Sequence, residues 1–310
     1  MHLIEDWGKI EWDNNQKEEG EWNFLFHKIF EEMNDINLRE KNSGKTFFHL
    51  ISSNKDLNEE MIKFLFEYNA SANIKDAEFG STAFHNVCSN QKVNESILKI
   101  FLENKVDSNV KDDFNRTPLH FMASNEKINE QMIKMLLENK AKINSKEDYN
   151  ERSAFHFLTL NPNVTPLLIN LFVENEGKVN SKDDSKRTPF HLVCSNNNPS
   201  SSLFQPFLDQ KIDVNLKDSN GRTPLLYLCE NKNISLEPLL FLLRNKADPN
   251  IFENKFGASP FHLFCCINKN KPKELFISLI YHQANPFLTL KTVFIFYSLF
   301  FFLFLFSTKK

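Results

Sequence analysis

Glycine is scarce in this 310-residue chain: there are seven, beside twelve prolines. Collagen-like and Gly/Pro-rich low-complexity architectures are thereby excluded. Cysteine is scarce too, and five is an odd number, so a disulfide-built secreted scaffold is not expected. No sign of charge dominates: 37 Lys+Arg stand against 40 Asp+Glu, a formal charge of −3. Without a basic footprint, binding to nucleic acid through its phosphates is not expected. Residues 1–22 lack the apolar core of a secretion leader; they are acidic and hold all three tryptophans, Trp7, Trp12 and Trp22. Enzyme signatures are missing as well. There is no G-x-G-x-x-G, Walker loop, G-x-S-x-G or H-E-x-x-H. Phenylalanine is abundant, with 32 residues, and so is asparagine. With Lys and Ile these are the amino acids of A/T-rich codons, so their totals are read as genome composition.

A four-residue word recurs along the chain. Thr46-Phe-Phe-His49, Thr82-Ala-Phe-His85, Thr117-Pro-Leu-His120, Ser153-Ala-Phe-His156, Thr188-Pro-Phe-His191, Thr223-Pro-Leu-Leu226 and Ser259-Pro-Phe-His262 start 36, 35, 36, 35, 35 and 36 residues apart. A second column keeps the same beat: Asn37, Asn73, Asn109, Asn144, Asn180, Asn215 and Asn250. Such periods mark stacked repeats, in which one unit cannot bury its apolar face alone. Five residues after each start the side chain is bulky and apolar (Ile51, Val87, Met122, Leu158, Val193, Leu228, Phe264). One residue later it is small (Ser52, Cys88, Ala123, Thr159, Cys194, Cys229, Cys265). A helix packed closely on both sides needs that pairing. Asn54, Asn90, Asn125, Asn161, Asn196 and Asn231 follow two residues on, and Asn tolerates the left-handed turn that ends a helix. Second start signals come next: Asn58-Glu, Asn94-Glu, Asn129-Glu, Thr165-Pro and Ser235, each before an apolar run at helical spacing. Gly44, Gly80, Gly221 and Gly257 stand two residues before the motif and predict a finger-like hairpin with positive φ at its tip. Glu151 and Lys186 occupy that place elsewhere, so a differently shaped finger is expected there. Pro206 falls inside a predicted second helix, which must then start late or weaken the stack.

These columns resemble the ankyrin-repeat family over about residues 22–288. The family's T-P-L-H word opens the first helix of each unit, and its D-V-N ending matches Asp213-Val-Asn215. Two departures stand out. The period is longer than the family's 33 residues, and the family's Gly between helices is missing; the extra residues are placed in that turn. The resemblance implies an all-α fold: an ankyrin-repeat solenoid of helix–turn–helix units with hairpin fingers and a concave face. About seven full units are expected, plus an N-terminal half-unit with Phe24, Leu25, Ile29 and Phe30 facing the stack.

The repeated His residues share one phase and do not converge, and Leu226 replaces one of them. The resemblance implies that they tie helix to finger by structural hydrogen bonds. Four of the cysteines sit in the small column, interchangeable with Ala, Ser and Thr, and no C-x-x-C exists, so they read as buried fillers of a reducing compartment. Carboxylates fall on the fingers in phase: Asp112-Asp113, Glu147-Asp148 and Asp183-Asp184. They form either a solvated rim or a contact surface. Phe79, Phe114 and Tyr149 sit near three successive tips, and Phe256 repeats the pattern later. Either they and the acids make one face for a partner such as a basic peptide, or each ring folds onto the next finger.

The end of the chain differs. Val293–Phe306 is fourteen residues without a charge, short of the ~20 that span a bilayer. Three readings fit: a membrane anchor over residues 290–307, a degenerate last repeat with Thr292 and Ser298 in register, or a misassigned gene end. Lys309-Lys310 beyond the run mildly oppose the anchor. The expected organisation is a polar acidic segment 1–21, the repeats 22–288, and the hydrophobic tail 289–310. The expected function is a non-catalytic scaffold or adaptor, binding another protein through the concave face and fingers, with no cofactor and no metal. A membrane-tethered adaptor and a regulatory or targeting subunit of an enzyme are the alternatives. The expected location is the cytoplasm, on its membrane face if the tail is an anchor.

Overall fold

The computed structural model describes residues 35–267 and 273–285, and every regular element there is a helix. The segment 1–21, the helix expected before residue 35 and the tail 289–310 lie outside the described residues. Among those described, no helix is long and apolar enough to cross a membrane. The chain divides at Asp148/Tyr149 into two compact units. The first holds three helix pairs: Phe47–Ser53 with Glu59–Glu67, Ala83–Ser89 with Glu95–Glu103, and Pro118–Ser124 with Glu130–Glu138. The second holds four: Ala154–Leu160 with Pro166–Glu174, Pro189–Cys194 with Ser201–Asp209, Pro224–Glu230 with Leu236–Arg244, and Pro260–Ile267 with Lys273–Tyr281.

Local chemistry sets these boundaries. Pro118, Pro189 and Pro224 open first helices, where a missing N–H costs nothing. The side chains of Asn58, Asn94 and Asn129 cap second helices by accepting from Met61, Ile97 and Met132 N–H at 2.8–2.9 Å. The turn between helices buries one apolar residue just before that cap: Leu57, Val93, Ile128, Val164 and Ile234. This is the place of a hydrophobic staple, and it gives the longer turn its own anchor. Second helices end on a left-handed residue, as at Asn69, Lys105, Lys140, Glu176, Lys211 and Lys246.

The small column is buried throughout, from Ser52 to Cys265, so first helices pack closely within each unit. Phenylalanine fills the rest. In the first unit Phe101 stacks on Phe84 at 5.3 Å and meets Phe48 at 5.4 Å. In the second, Phe207 lies 5.4 Å from Phe155 and 5.3 Å from Phe190. Each cluster joins successive repeats, and truncating such a ring to Ala costs about 3–5 kcal/mol.

Three expectations are corrected. The Asn column after the first helix is not left-handed: Asn54, Asn90, Asn125, Asn161 and Asn231 have extended backbones. Their amides act instead. Asn90 Nδ2 donates to Ser52 and Asn54 carbonyls, Asn125 to Cys88 and Asn90, and Asn196 to Thr159 and Asn161, all at 2.8–3.0 Å. Each amide reaches back to the preceding repeat and holds two of its carbonyls, which a helix end otherwise leaves unsatisfied. The Lys186 finger is as regular as the glycine ones. Lys186 adopts φ 59°, and Asp183 N–H meets Arg187 O at 2.9 Å, just as Asp218 N–H meets Arg222 O at 2.9 Å beside Gly221. Finally, the helix Ser201–Asp209 starts on time and keeps Pro206 inside it, buried. Glu237 of the next repeat accepts from Ser201 N–H at 3.2 Å and supports its first turn.

Candidate functional site

A finger is held from three directions. Backbone rungs link it to the finger before. In the first unit Ala77, Asp113 and Asp148 N–H donate to Ser43, Phe79 and Phe114 O at 2.7–2.9 Å. In the second, Asp184, Ser219 and Asn254 N–H donate to Asn150, Ser185 and Asn220 O at 2.8–2.9 Å. These rungs use polar groups that a loop would otherwise leave to water.

The second tie is the imidazole. Thr82 N–H donates to His85 Nδ1 at 3.1 Å, a capping box with imidazole in place of a carboxylate. The proton therefore sits on Nε2, which donates to Val110 and Arg116 O of the next finger, each at 3.1 Å. His49 reaches Ser81 O at 3.0 Å, His156 reaches Ser181 and Arg187 O at 3.1 and 3.2 Å, and His191 reaches Leu216 O at 2.9 Å. Burial lowers the pKa of His49, His85 and His191, and brings His156 down to about 4. These are neutral structural groups. Leu226 breaks the series, and the Thr223 hydroxyl is buried without a hydrogen-bond partner.

The third tie is the finger's own acid, and it divides the acidic rim expected from sequence. Asp112, Glu147 and Asp183 are buried at 3–4% exposure, whereas Asp113, Asp148 and Asp184 are exposed. Asp112 Oδ1 accepts from Phe114 and Arg116 N–H at 3.0 and 2.8 Å, and its Oδ2 from Arg116 Nε at 2.7 Å. Asp183 repeats this with Ser185 and Arg187. Burial opposes the charge on Asp183, but bonds to Arg187 and the Arg187 and Arg152 charges outweigh it, so its pKa falls. The inner acids thus shape the fingers and do not face outward.

Sequence reading missed a column of arginines one residue before the motif: Arg116, Arg152, Arg187 and Arg222. The same period would have shown it. Arg116 lies over Phe114 and Phe121 at 5.0 and 4.7 Å. Arg222 lies 4.7 Å over Tyr227 and pairs with Glu230, while Tyr227 OH donates to Asp218 at 2.8 Å. A cleft of about 360 Å³ opens beside Tyr227, lined also by Ser195, Asn197, Glu230 and Lys232.

The aromatic tips are at the surface. In the first unit Phe79 is 50% and Phe114 39% exposed, with ring centroids 6.2 Å apart. The two rings touch each other and each keeps an exposed face. Asp113 packs over Gly80, where a Cβ would come within 2.1 Å of its carboxylate. Asp148 accepts from Asn115 Nδ2 at 2.6 Å. In the second unit Tyr149 is 79% and Phe256 40% exposed. The four cysteines of the small column are buried and form no disulfide, and burial raises the pKa of Cys88, Cys194 and Cys229. Among the described residues no three His, Cys, Asp or Glu side chains gather as a metal site.

A family model described as ankyrin repeats, in three copies, matches residues 48–147, 84–164 and 155–253. No curated protein matches the chain.

Proposed function

Because the chain belongs to the ankyrin-repeat family, whose members are typically non-catalytic modules for protein–protein interaction, we propose that it is a scaffold or adaptor gripping another protein by its first helices and fingers. The observation that carries this reading is the Phe79–Phe114 pair. Two half-exposed rings on successive fingers, fixed by a backbone rung and flanked by Asp113 and Asp148, have the make-up of an interface anchor. The acids favour a partner segment that is basic as well as apolar. Tyr149, Asp184 and Phe256 extend the same chemistry on the second unit's fingers. The repeats are taken as residues 22–288, with 1–21 and 289–310 flanking them. Buried thiols without a disulfide favour a reducing compartment such as the cytoplasm.

A photo-crosslinker placed at Phe114 in cells of the source should capture one partner. Placed at Lys63, on a second helix, it should not. Phe79→Ala and Asp113→Lys should each abolish the captured band while leaving the thermal midpoint within a few degrees. Equal capture from both positions, or a band indifferent to both substitutions, would refute the assignment.

A further inference from the structure

A stack of repeats has to be closed, because an end repeat turns to water the face that its predecessors give to a neighbour. In the second unit the last described repeat pairs Pro260–Ile267 with Lys273–Tyr281, and among the described residues no repeat follows it. Its predecessors show what a following repeat covers. The ring two residues after the motif reaches forward: Phe48 lies 5.4 Å from Phe101, and Phe155 lies 5.4 Å from Phe207, each on the second helix of the next repeat. Phe261 stands in that column. Phe276 of its own second helix meets Phe261 at 6.3 Å and Phe264 at 4.6 Å, which covers these rings from one side. Yet Phe261 and Phe264 are 0% exposed and Cys265 of the small column is 5% exposed, as in repeats that have a successor. The trailing face of this repeat is therefore a covered face.

The imidazole points the same way. His49, His85, His156 and His191 donate Nε2 to carbonyls of the following finger. His262 has the same setting: it is buried, and its Nδ1 accepts from Ser259 N–H at 3.3 Å. Its Nε2 is thereby turned to the place of a following finger. The chain is on course for that place. Asn250 donates to Gln283 O at 2.9 Å and accepts from Asn285 N–H at 2.7 Å. One repeat earlier Asn215 does the same with Lys246 O and Asp248 N–H, at 2.9 and 2.8 Å. After Asp248 the chain goes on to a finger and a further repeat. After Asn285 it goes on to Thr292 and the uncharged run Val293–Phe306. Ser298 is the only small side chain in that run, and it falls six residues after Thr292, the spacing of the small column. Phe294 falls in the Phe261 column.

We propose that residues 292–306 cover the trailing face of the last repeat, with Phe294 and Ser298 turned in toward it. The apolar end of the chain then closes the stack and does not enter a bilayer, for which its fourteen residues fall short of the ~20 required.

Two double substitutions in the full chain separate closing from anchoring, since each puts two charges into the same run. Phe294→Glu with Ser298→Glu strikes the inward columns. Phe296→Glu with Leu299→Glu strikes columns that face outward, where Asn86 is half-buried and Ser89 exposed. The readout is maleimide labelling of Cys265 in a Cys266→Ser background; Cys88, Cys194 and Cys229 are 0% exposed and stay silent. The inward pair should speed labelling about tenfold or more, and the outward pair by less than about twofold. A benzophenone in place of Phe294 should crosslink within the chain to residues 260–281, and it decides the matter if circular dichroism shows the inward pair unfolded. The proposal fails if Cys265 already labels fast without either pair, or if both pairs act alike. It also fails if the benzophenone joins lipid or a second copy, or if the full chain floats with phosphatidylcholine vesicles and either pair releases it, since the run would then be an anchor.

Discussion

Two neighbouring repeats of the second unit differ in the side chain that faces the next finger. In the repeat that starts at Thr188, His191 accepts from the Thr188 N–H and donates to Leu216 O, so the first helix grips the next finger. In the repeat that starts at Thr223, Leu226 fills the same place, fully buried, and has no imidazole to offer the 251–258 finger. That finger keeps its own acid, with Glu253 accepting from Lys255, Phe256 and Ala258 N–H at 2.6–3.2 Å, and its backbone rung from Asn254. Apolar packing and these two ties suffice to place it. The imidazole therefore adds grip to a finger without defining its course, and the finger bearing Phe256 is placed without that tie.

Acid should break the contrast most. A buried histidine binds its proton later in the folded chain than in the unfolded one, so its contribution is present above the unfolded pKa and is lost as pH falls. For His156, between about 6.5 and about 4, the loss is about 3 kcal/mol. His49, His85 and His191 add to it in the same direction. Urea midpoints measured across this range should fall, and Leu226 should contribute nothing to the fall. His191→Leu copies the gap into its neighbour and leaves the buried Thr188 N–H without its acceptor. About 2–3 kcal/mol of stability should go, read from the same midpoints. Asn196→Ala removes two bonds to Thr159 and Asn161 carbonyls that no imidazole can replace, and should cost about 2 kcal/mol in calorimetry. In the opposite direction, Leu226→His should give the buried Thr223 hydroxyl and N–H a partner and gain about 1 kcal/mol. Lys186→Gly should gain about the same or less, because a left-handed residue with a Cβ is strained.

The fold was legible because each repeat writes the same physical need in the same place. The motif Thr or Ser, the bulky residue and the small residue are all buried as their spacing demands. The shared phase of the imidazoles shows only that they do not converge on one site; the tie from helix to finger is what the family resemblance implies, and His49, His85, His156 and His191 make it. Periodicity cannot distinguish two like residues side by side, and there the reading failed. Asp112 and Asp113 look alike in sequence, yet one carboxylate folds inward onto its own finger's N–H groups and the other faces solvent. The asparagine column after the first helix reads in sequence as a helix-ending turn, but Asn90, Asn125 and Asn196 lace one repeat to the one before. Asn109 and Asn215 do the same for the following one, donating to Lys140 and Lys246 O at 2.9 Å. The stack uses the paired donor and acceptor of the amide, as Asn109 donates to Lys140 O and accepts from Lys142 N–H. Of the two outcomes that Pro206 allows, the late start does not occur, because its helix is buried against neighbours and packing holds it despite one lost backbone bond.

The grip of histidine on the following finger is tested most directly by native-state hydrogen exchange at two equivalent amides. Arg222 N–H and Ala258 N–H each donate to the acid of their own finger, Asp218 at 2.8 Å and Glu253 at 3.2 Å. Only the first finger is held by an imidazole. Arg222 should exchange at least about tenfold more slowly than Ala258, and Leu226→His should close the gap. Equal protection of the two amides in the wild type, or a gap that Leu226→His leaves untouched, would contradict it.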